Sequence, residues 1–536
     1  MITEIIKNDS NRKNITYLLI LILISISIRL FFLPFELPFK HDAIGYFAFA
    51  FEISKTHQFP AGILITNDGW SLFLSPIFSI IGQSDMMNLI NAQRITSIVL
   101  SSITILPVFL LCKKFVSSKH ALIGAALFGF SHKLIENSIL GVTESLFIFL
   151  ISFVLLFSLS QNSKNYIFSF IFLGLAIIVR YEAILFLIPL IIIFFIKFRK
   201  EKFSYLKLSI FIFVLILILL PITALRIESN GVDGIISHTF SNPQIANPNT
   251  YSSLSSENLK ELSLETDKKV DADHHVLQSQ SGFIANSFTN TLKFLGLVLI
   301  PLFIFFIPFG IYNLVKTKNK DISYLLIFSV FLILPAMYAY GREIQDTRYL
   351  YVLFPIFCVI SVYGFDIIRK LQKNRILLLI ITLIILSSVI LLVSDKNDYA
   401  SDNEIFQITK FLVQNAKGVN DSPDILYLRI ATLEKIWPNS LPLDDHLTSH
   451  PKTSSFLKKI PSQNFNSLED YLTKSKNSNL THIVLSKNNN SAFLDELLIN
   501  YEKYTYLEKV FDSEDYNFKN EIIILKINYS NFENQI

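Results

Sequence analysis

Up to about residue 394 the chain alternates between long apolar runs and short polar or basic stretches. The runs Ile15–Phe32, Ile95–Leu111, Ala121–Ile135, Leu146–Leu159, Ile167–Val179, Ala183–Phe195, Leu208–Leu225, Thr291–Leu314, Ile322–Tyr340, Tyr349–Phe365 and Ile376–Val393 each read as a helix crossing a bilayer. A run of roughly 20 apolar residues spans the hydrocarbon, and the shorter ones reach by tilting or by extending a turn into their polar ends. This gives about eleven crossings. Residues 35–91 are broken by Pro38, Pro60, Gly62 and Pro76, and their short apolar pieces suit helices lying in the interface. From about Asp395 the apolar pieces shorten. His482–Leu485 and Ile522–Ile527 read as strands, and Glu404–Ala416 carries a helical pattern. The predicted fold class is a polytopic α-helical membrane protein with a small C-terminal soluble α/β domain. Its predicted boundaries are 1–394 for the membrane domain, with outer loops 35–91 and 226–290, and 395–536 for the soluble one.

Composition agrees, with 51% hydrophobic and 17% charged residues, while a net charge of +4 says little about partners. The placement of the cations says more. Lys7, Arg12 and Lys13 precede the first run, and Lys113, Lys114, Lys119, Lys164, Lys197, Arg199, Lys200, Lys202, Lys316, Lys318, Lys320, Arg369, Lys370, Lys373 and Arg375 recur on every second connection. Lys and Arg gather on cytoplasmic loops, so the N-terminus is predicted cytoplasmic and the tail extracytoplasmic. The first run is too long for a signal-peptide core and has no small-residue cleavage site behind it. Cys112 and Cys358 both lie inside apolar runs and offer neither a disulfide framework nor a thiolate metal site.

With the lysine-rich side set apart, Asp42, Glu52, Asp68, Asp85, Arg94, Glu136, Glu144, Arg180, Glu182, Arg226, Glu343, Asp346 and Arg348 fall at or near the outer ends of crossings. Charges beside hydrocarbon are costly and usually functional. Carboxylates and arginines converging on one face suit a reaction needing a base and clamps for an anion, such as a phosphate on a lipid carrier. Asp42 and Tyr46, four residues apart after the first run, would share one face of a helix. Each residue also has a plainer reading. Asp42 could cap a helix starting at Ala43, Tyr46 could belong to an aromatic belt with Phe47, Phe49 and Phe51, and Arg94 could snorkel. Arg180 could merely pair with Glu182 or Glu144. His41 and His274-His275, beside Asp271 and Asp273, match no strong metal-binding spacing.

These residues bring in a resemblance. Asp42-Ala43-Ile44-Gly45-Tyr46, Arg94-Ile95-Thr96-Ser97, Thr143-Glu144, Gly174 through Arg180-Tyr181-Glu182, and Arg348-Tyr349-Leu350 leading to Pro355 resemble, in order, pieces of GT-C superfamily polyprenyl-phosphate-sugar glycosyltransferases. The branch is that of protein O-mannosyltransferases and aminoarabinose transferases, glycosyltransferase family 39, whose first outer loop carries an Asp-Glu pair. Here Ala43 replaces the second acid. The resemblance implies inverting transfer of a sugar from a polyprenyl (dolichyl-type) phosphate to a protein, glycan or lipid acceptor outside the cytoplasm, unaided or assisted by a divalent metal. It makes Asp42 the catalytic base and Tyr46, Arg94, Glu144, Arg180, Glu182 and Arg348 the donor-binding set, with the arginines neutralising the leaving phosphate. Membrane lipids are partners and nucleic acid is not. An oligosaccharyltransferase of the same superfamily would need a Trp-Trp-Asp motif, and neither Trp70 nor Trp437 has a Trp or Asp beside it. A transporter or lipid flippase is the alternative from another class. Arg29 and the prolines within crossings, Pro107, Pro189, Pro221 and Pro335, speak for it, and the gathering of charge at one face speaks against it.

Overall fold

The computed structural model describes residues 9–39, 42–60, 67–82, 85–235, 237, 280–317, 320–364, 374–394, 399–421, 425–436, 457–463, 465–486 and 491–535. The loop predicted over 226–290 falls largely outside these residues, as do His41, Trp437, Asp271, Asp273, His274 and His275.

The described chain is mostly helical. Six helices are long and apolar enough to cross a membrane: Lys13–Phe31, Met86–Lys113, Tyr181–Phe198, Ser204–Asn230, Lys320–Gly341 and Arg375–Ser394. Three more predicted crossings fall on shorter apolar helices, Glu144–Ser158, Ser163–Val179 and Thr347–Tyr363. Two predicted single crossings are broken. Thr291–Leu314 falls on the pair Gly282–Leu299 and Leu302–Asn313, bent by 108° at Ile300-Pro301, where proline withholds a helix hydrogen bond. Ala121–Ile135 is split between Ser118–Gly129 and His132–Leu140. In residues 35–91, predicted as the first outer loop, stand two further helices, Ala43–Thr56 and Gly69–Ile81.

Some helices meet through small residues, and lipid-facing surfaces carry exposed bulky ones. Leu302–Thr317 lies against Phe354–Gly364 so closely that a Cβ on Gly310 would come 2.0 Å from the Ile360 carbonyl oxygen. In a bilayer, where lipid tails are as apolar as leucine, such close approach is what holds helices together. Conversely Phe213, Ile216, Leu217 and Leu220 of Ser204–Asn230 are exposed, as lipid-facing residues should be. Arg29, fully buried in the first helix, is a structural bolt: Nε donates to Ser138 Oγ (3.1 Å), Nη1 to Gly129 O (2.8 Å) and Nη2 to Ser101 Oγ (3.3 Å).

Polar side chains collect at the two ends of this bundle. At one, Gln161 Nε2 reaches Asp321 Oδ1 (3.3 Å), Lys197 Nζ reaches Ser158 O (3.2 Å) and Lys207 Nζ reaches Ser163 Oγ (3.1 Å). At the other lie the arginines and carboxylates described below.

The C-terminal portion holds a small mixed sheet flanked by helices. Its strands, β1 (Gly418–Val419), β2 (Lys458–Lys459), β3 (His482–Ser486), β4 (Leu507–Asp512) and β5 (Ile522–Ile527), run in the order β2-β1-β3-β5-β4. The two strands read from sequence are β3 and β5, paired antiparallel with His482 opposite Lys526 and Ser486 opposite Ile522. Leu472, Ile483, Leu485, Leu494 and Leu525 form its core with Tyr471. The helix predicted over Glu404–Ala416 spans Tyr399–Asn415.

Candidate functional site

The first component is the start of helix Ala43–Thr56. Asp42 precedes it in helical conformation (φ −66°, ψ −15°) and its side chain makes no capping bond. Its backbone carbonyl accepts from Gly45 N (3.1 Å). The carboxylate, with its side chain 64% exposed, lies 3.4 Å from Arg348 Nη2. Bonds from neighbouring elements fix this helix start. Gln93 Nε2 donates to Ala43 O (3.2 Å) and Gly141 O (2.7 Å), Trp70 Nε1 to Gly141 O (2.9 Å), and Ser71 Oγ to Tyr46 O (2.9 Å). Tyr46 is buried on the same helix. Burial, reinforced by the nearby Glu144 carboxylate, raises its hydroxyl pKa well above the ordinary value, so it stays protonated.

Two arginines stand at the entries of two 3₁₀ segments. Arg180 ends helix Ser163–Val179: its N–H donates to Ala176 O (2.8 Å), the backbone turns extended (φ −144°, ψ 113°), and the segment Tyr181–Phe186 begins. Its guanidinium donates from Nη1 to Glu144 Oε1 (2.9 Å) and from Nε to Glu182 Oε1 (2.6 Å). It lies over the rings of Phe147 (5.5 Å) and Tyr349 (5.7 Å). Arg348 lies in Thr347–Leu353, capped by Asp346, whose Oδ1 accepts from Arg348 N (2.9 Å) and whose Oδ2 accepts from Nε (2.7 Å) and Nη2 (2.6 Å). The pairings read as bland for Arg180, with Glu144 or with Glu182, are thus both made.

Between these segments opens a small, partly open cleft. Glu144, Arg180, Glu182, Arg348 and Tyr349 line its polar part, and Phe147, Ile148, Phe186, Leu332, Pro335 and Val352 its apolar part. The structure therefore brings together six of the seven residues singled out from sequence: Glu144, Arg180, Glu182 and Arg348 in the cleft wall, Asp42 against Arg348, and Tyr46 in the field of Glu144 and Arg180. Arg94 stands apart. Only 4% exposed, it donates to the carbonyls of Pro34 (3.1 Å), Leu37 (2.6 Å) and Pro38 (2.7 Å) and lies over Phe39 (5.2 Å). It ties the first outer loop to helix Met86–Ile103 and spends its fork on backbone.

Asp346 was among the outer charges but carried no assigned role. Its signal is local, a carboxylate two residues before an arginine whose own N–H it caps. Asp68 and Arg226 also pair, 158 residues apart, with no local signal.

For a divalent metal the donor set does not fit. The cleft's carboxylates are committed to the two guanidiniums, and among the described residues no three His, Cys, Asp or Glu side chains gather to hold an ion. No step below passes through a metal.

The site sits in a bundle of apolar helices and sets arginine–carboxylate pairs beside an apolar cleft wall. The family model described as Dolichyl-phosphate-mannose-protein mannosyltransferase matches residues 71–224, the stretch that holds Arg94, Glu144, Arg180 and Glu182. Over that stretch the match agrees with the resemblance read from the sequence. No curated protein matches the chain. Among solved structures, the chain is similar to the Archaeoglobus fulgidus oligosaccharyltransferase in the apo form, at 14% identity over 88% of this chain and 69% of that one, with a TM-score of 0.48. It is similar to AglB of that organism in complex with an inhibitory peptide and a dolichol-phosphate, at 13% identity over 88% and 69% with a TM-score of 0.49. It is also similar to ArnT from Cupriavidus metallidurans bound to undecaprenyl phosphate, at 9% identity over 95% and 98% with a TM-score of 0.48. Likenesses this distant say nothing of this chain's substrate.

Proposed function

We propose that the chain transfers a sugar from a polyprenyl phosphate to an acceptor hydroxyl on the extracytoplasmic face of a membrane. The observation that carries this reading is the convergence of Arg180 and Arg348, from two distant 3₁₀ entries, on one cleft with Asp42 at hydrogen-bonding range of Arg348. The family match over residues 71–224 points the same way.

In the proposed reaction Asp42 takes the proton of the acceptor hydroxyl as its oxygen bonds to the anomeric carbon. The bond from that carbon to the phosphate oxygen breaks, the electron pair stays on the phosphate, and the configuration inverts. Arg180 and Arg348 meet the extra negative charge on the leaving group, where arginine's planar fork suits phosphate oxygens. In the resting site both forks are held by carboxylates. The contact most easily yielded to a phosphate is the longest and most exposed, Arg348 to Asp42 at 3.4 Å. Donor binding would thus release the base as it occupies the clamp. Phe147, Phe186, Leu332 and Val352 offer the apolar wall along which a lipid chain would leave the head group.

The topology we infer has eleven crossings: the six long helices, the bent pair counted once, the three shorter apolar helices and the broken stretch Ser118–Leu140. With the lysine-rich end cytoplasmic, the cleft and residues 395–536 lie outside.

The test is affinity for the polyprenyl phosphate that leaves in this reaction. Arg180→Lys and Arg348→Lys keep the charge and lose the fork, and the loss of a charge-assisted bond, about 1.5–3 kcal/mol, should weaken binding of decaprenyl phosphate by roughly 10- to 100-fold. Parent-like affinity in both variants would remove the arginines from the site.

A further inference from the structure

Asp68 and Arg226 form an ion pair far from water, with side chains 4% and 6% exposed. Arg226 Nε donates to Asp68 Oδ2 at 2.9 Å, and its Nη2 bonds Asp68 Oδ1. Burying two charges is costly, and replacing such a pair by apolar residues is often neutral or stabilising, so stability alone is a weak reason for it. Its surroundings suggest another. Arg226 Nη2 also reaches the carbonyl of Ile178 (3.4 Å). Gly69, next to Asp68, is so close to the same carbonyl that a Cβ would lie 2.5 Å from its oxygen and 2.7 Å from Val179 Cα. On the other side of Asp68, Asn67 accepts at Oδ1 from Tyr181 N (3.4 Å), its backbone held in the left-handed region at φ 68°. Asn67, Gly69 and Arg226, the last held by Asp68, thus meet Tyr181, Ile178 and Val179, the backbone on both sides of Arg180.

We propose that Asn67, Asp68 and Arg226 form a clasp of positioning residues that fixes the direction in which Arg180 and Glu182 face the donor phosphate. None of the three lines the cleft. They act through the backbone at the point where helix Ser163–Val179 gives way to the 3₁₀ segment. The inference rests on the reading of Arg180 as a phosphate clamp. Turning Arg180 away from the phosphate forfeits the fork geometry that makes its charge-assisted bonds strong, so loosening the clasp should weaken phosphate binding beyond any effect on folding.

The test measures binding of radiolabelled decaprenyl phosphate to the full-length protein in nanodiscs, with the thermal midpoint beside it. Asp68→Asn and Arg226→Lys should weaken binding about tenfold or more. Asn67→Gly removes the acceptor for Tyr181 N while glycine takes a positive φ without strain, so it keeps the fold and should weaken binding by about threefold. A purely structural pair would lower the midpoint and leave the affinity of the folded protein unchanged. Parent-like affinity in Asn67→Gly, or in either pair variant that keeps the parent's midpoint, overturns the clasp. Arg180→Ala separates the two failures: if it too binds as the parent does, the phosphate reading itself is at fault.

Discussion

Replacing Asp42 by asparagine separates chemistry from architecture at one atom. The side chain makes no capping bond to helix Ala43–Thr56, so the change removes nothing from the helix start, and asparagine caps about as well as aspartate in any case. What it loses structurally is the 3.4 Å contact with Arg348, between side chains 64% and 23% exposed. Pairs so open to water are worth about 0.2–1 kcal/mol, and Arg348 keeps Asp346. As a base Asp42 would contribute about 10²- to 10⁴-fold in rate, or about 2.7–5.5 kcal/mol of barrier, several times the structural loss. The assay is the initial rate of transfer from a radiolabelled polyprenyl-phosphate sugar in nanodiscs, with the thermal midpoint of each sample recorded. We expect a midpoint close to the parent's and a rate at least about 100-fold lower. A rate within a few-fold of the parent would refute the base assignment and move it to Glu144 or Glu182, both now held by Arg180.

Arg94→Lys should behave oppositely: one ammonium cannot serve the carbonyls of Pro34, Leu37 and Pro38, so at least one charge-assisted bond, about 1.5–3 kcal/mol, is lost from stability. Decaprenyl phosphate affinity of the folded variant should stay at the parent value, and a selective loss of affinity would return Arg94 to the site. In the C-terminal portion, burial and the facing Lys526 lower His482 from 6.5 to about 4. The folded form holds it neutral while the unfolded chain takes up a proton, so stability is full above pH 6.5 and falls as pH drops from 6.5 toward 4, by at most about 3 kcal/mol. Chemical denaturation across that range should show the slope, and His482→Gln should flatten it. Protease added to right-side-out vesicles should digest residues 395–536, and full protection would mean that the crossings are miscounted by one.

What the sequence disclosed and what it hid follow from how local each signal is. Arg180 with Glu182 is a two-residue motif at the end of an apolar run, and Glu144 could be matched to it because both lie at outer ends; the structure joins all three. Arg94 has the same kind of position yet a different role, because its partners are carbonyls of a proline-rich turn whose path no hydropathy pattern reports. The run Thr291–Leu314 reads as one span because hydropathy ignores direction; Pro301 was the available sign of the 108° bend. Strands β3 and β5 alternate or run apolar for five and six residues, whereas β1 and β2, at two residues each, leave no period to detect. The Asp68–Arg226 pair is invisible to any window, since only the folding of the outer loop over helix Ser204–Asn230 brings its members together.

A glycosyltransferase breaks the bond between sugar and phosphate at this cleft, whereas a transporter leaves it intact. The most direct measurement uses a polyprenyl-phosphate sugar labelled with one isotope in the sugar and another in the lipid, supplied to the protein in proteoliposomes together with extracts of candidate acceptors. The labels should part in equal amounts, the sugar appearing on an acceptor and the lipid remaining as free polyprenyl phosphate. Both should depend on Asp42, Arg180 and Arg348. If the labels stay together and merely change leaflet, the protein moves its lipid rather than cleaving it, and the glycosyltransferase reading is wrong.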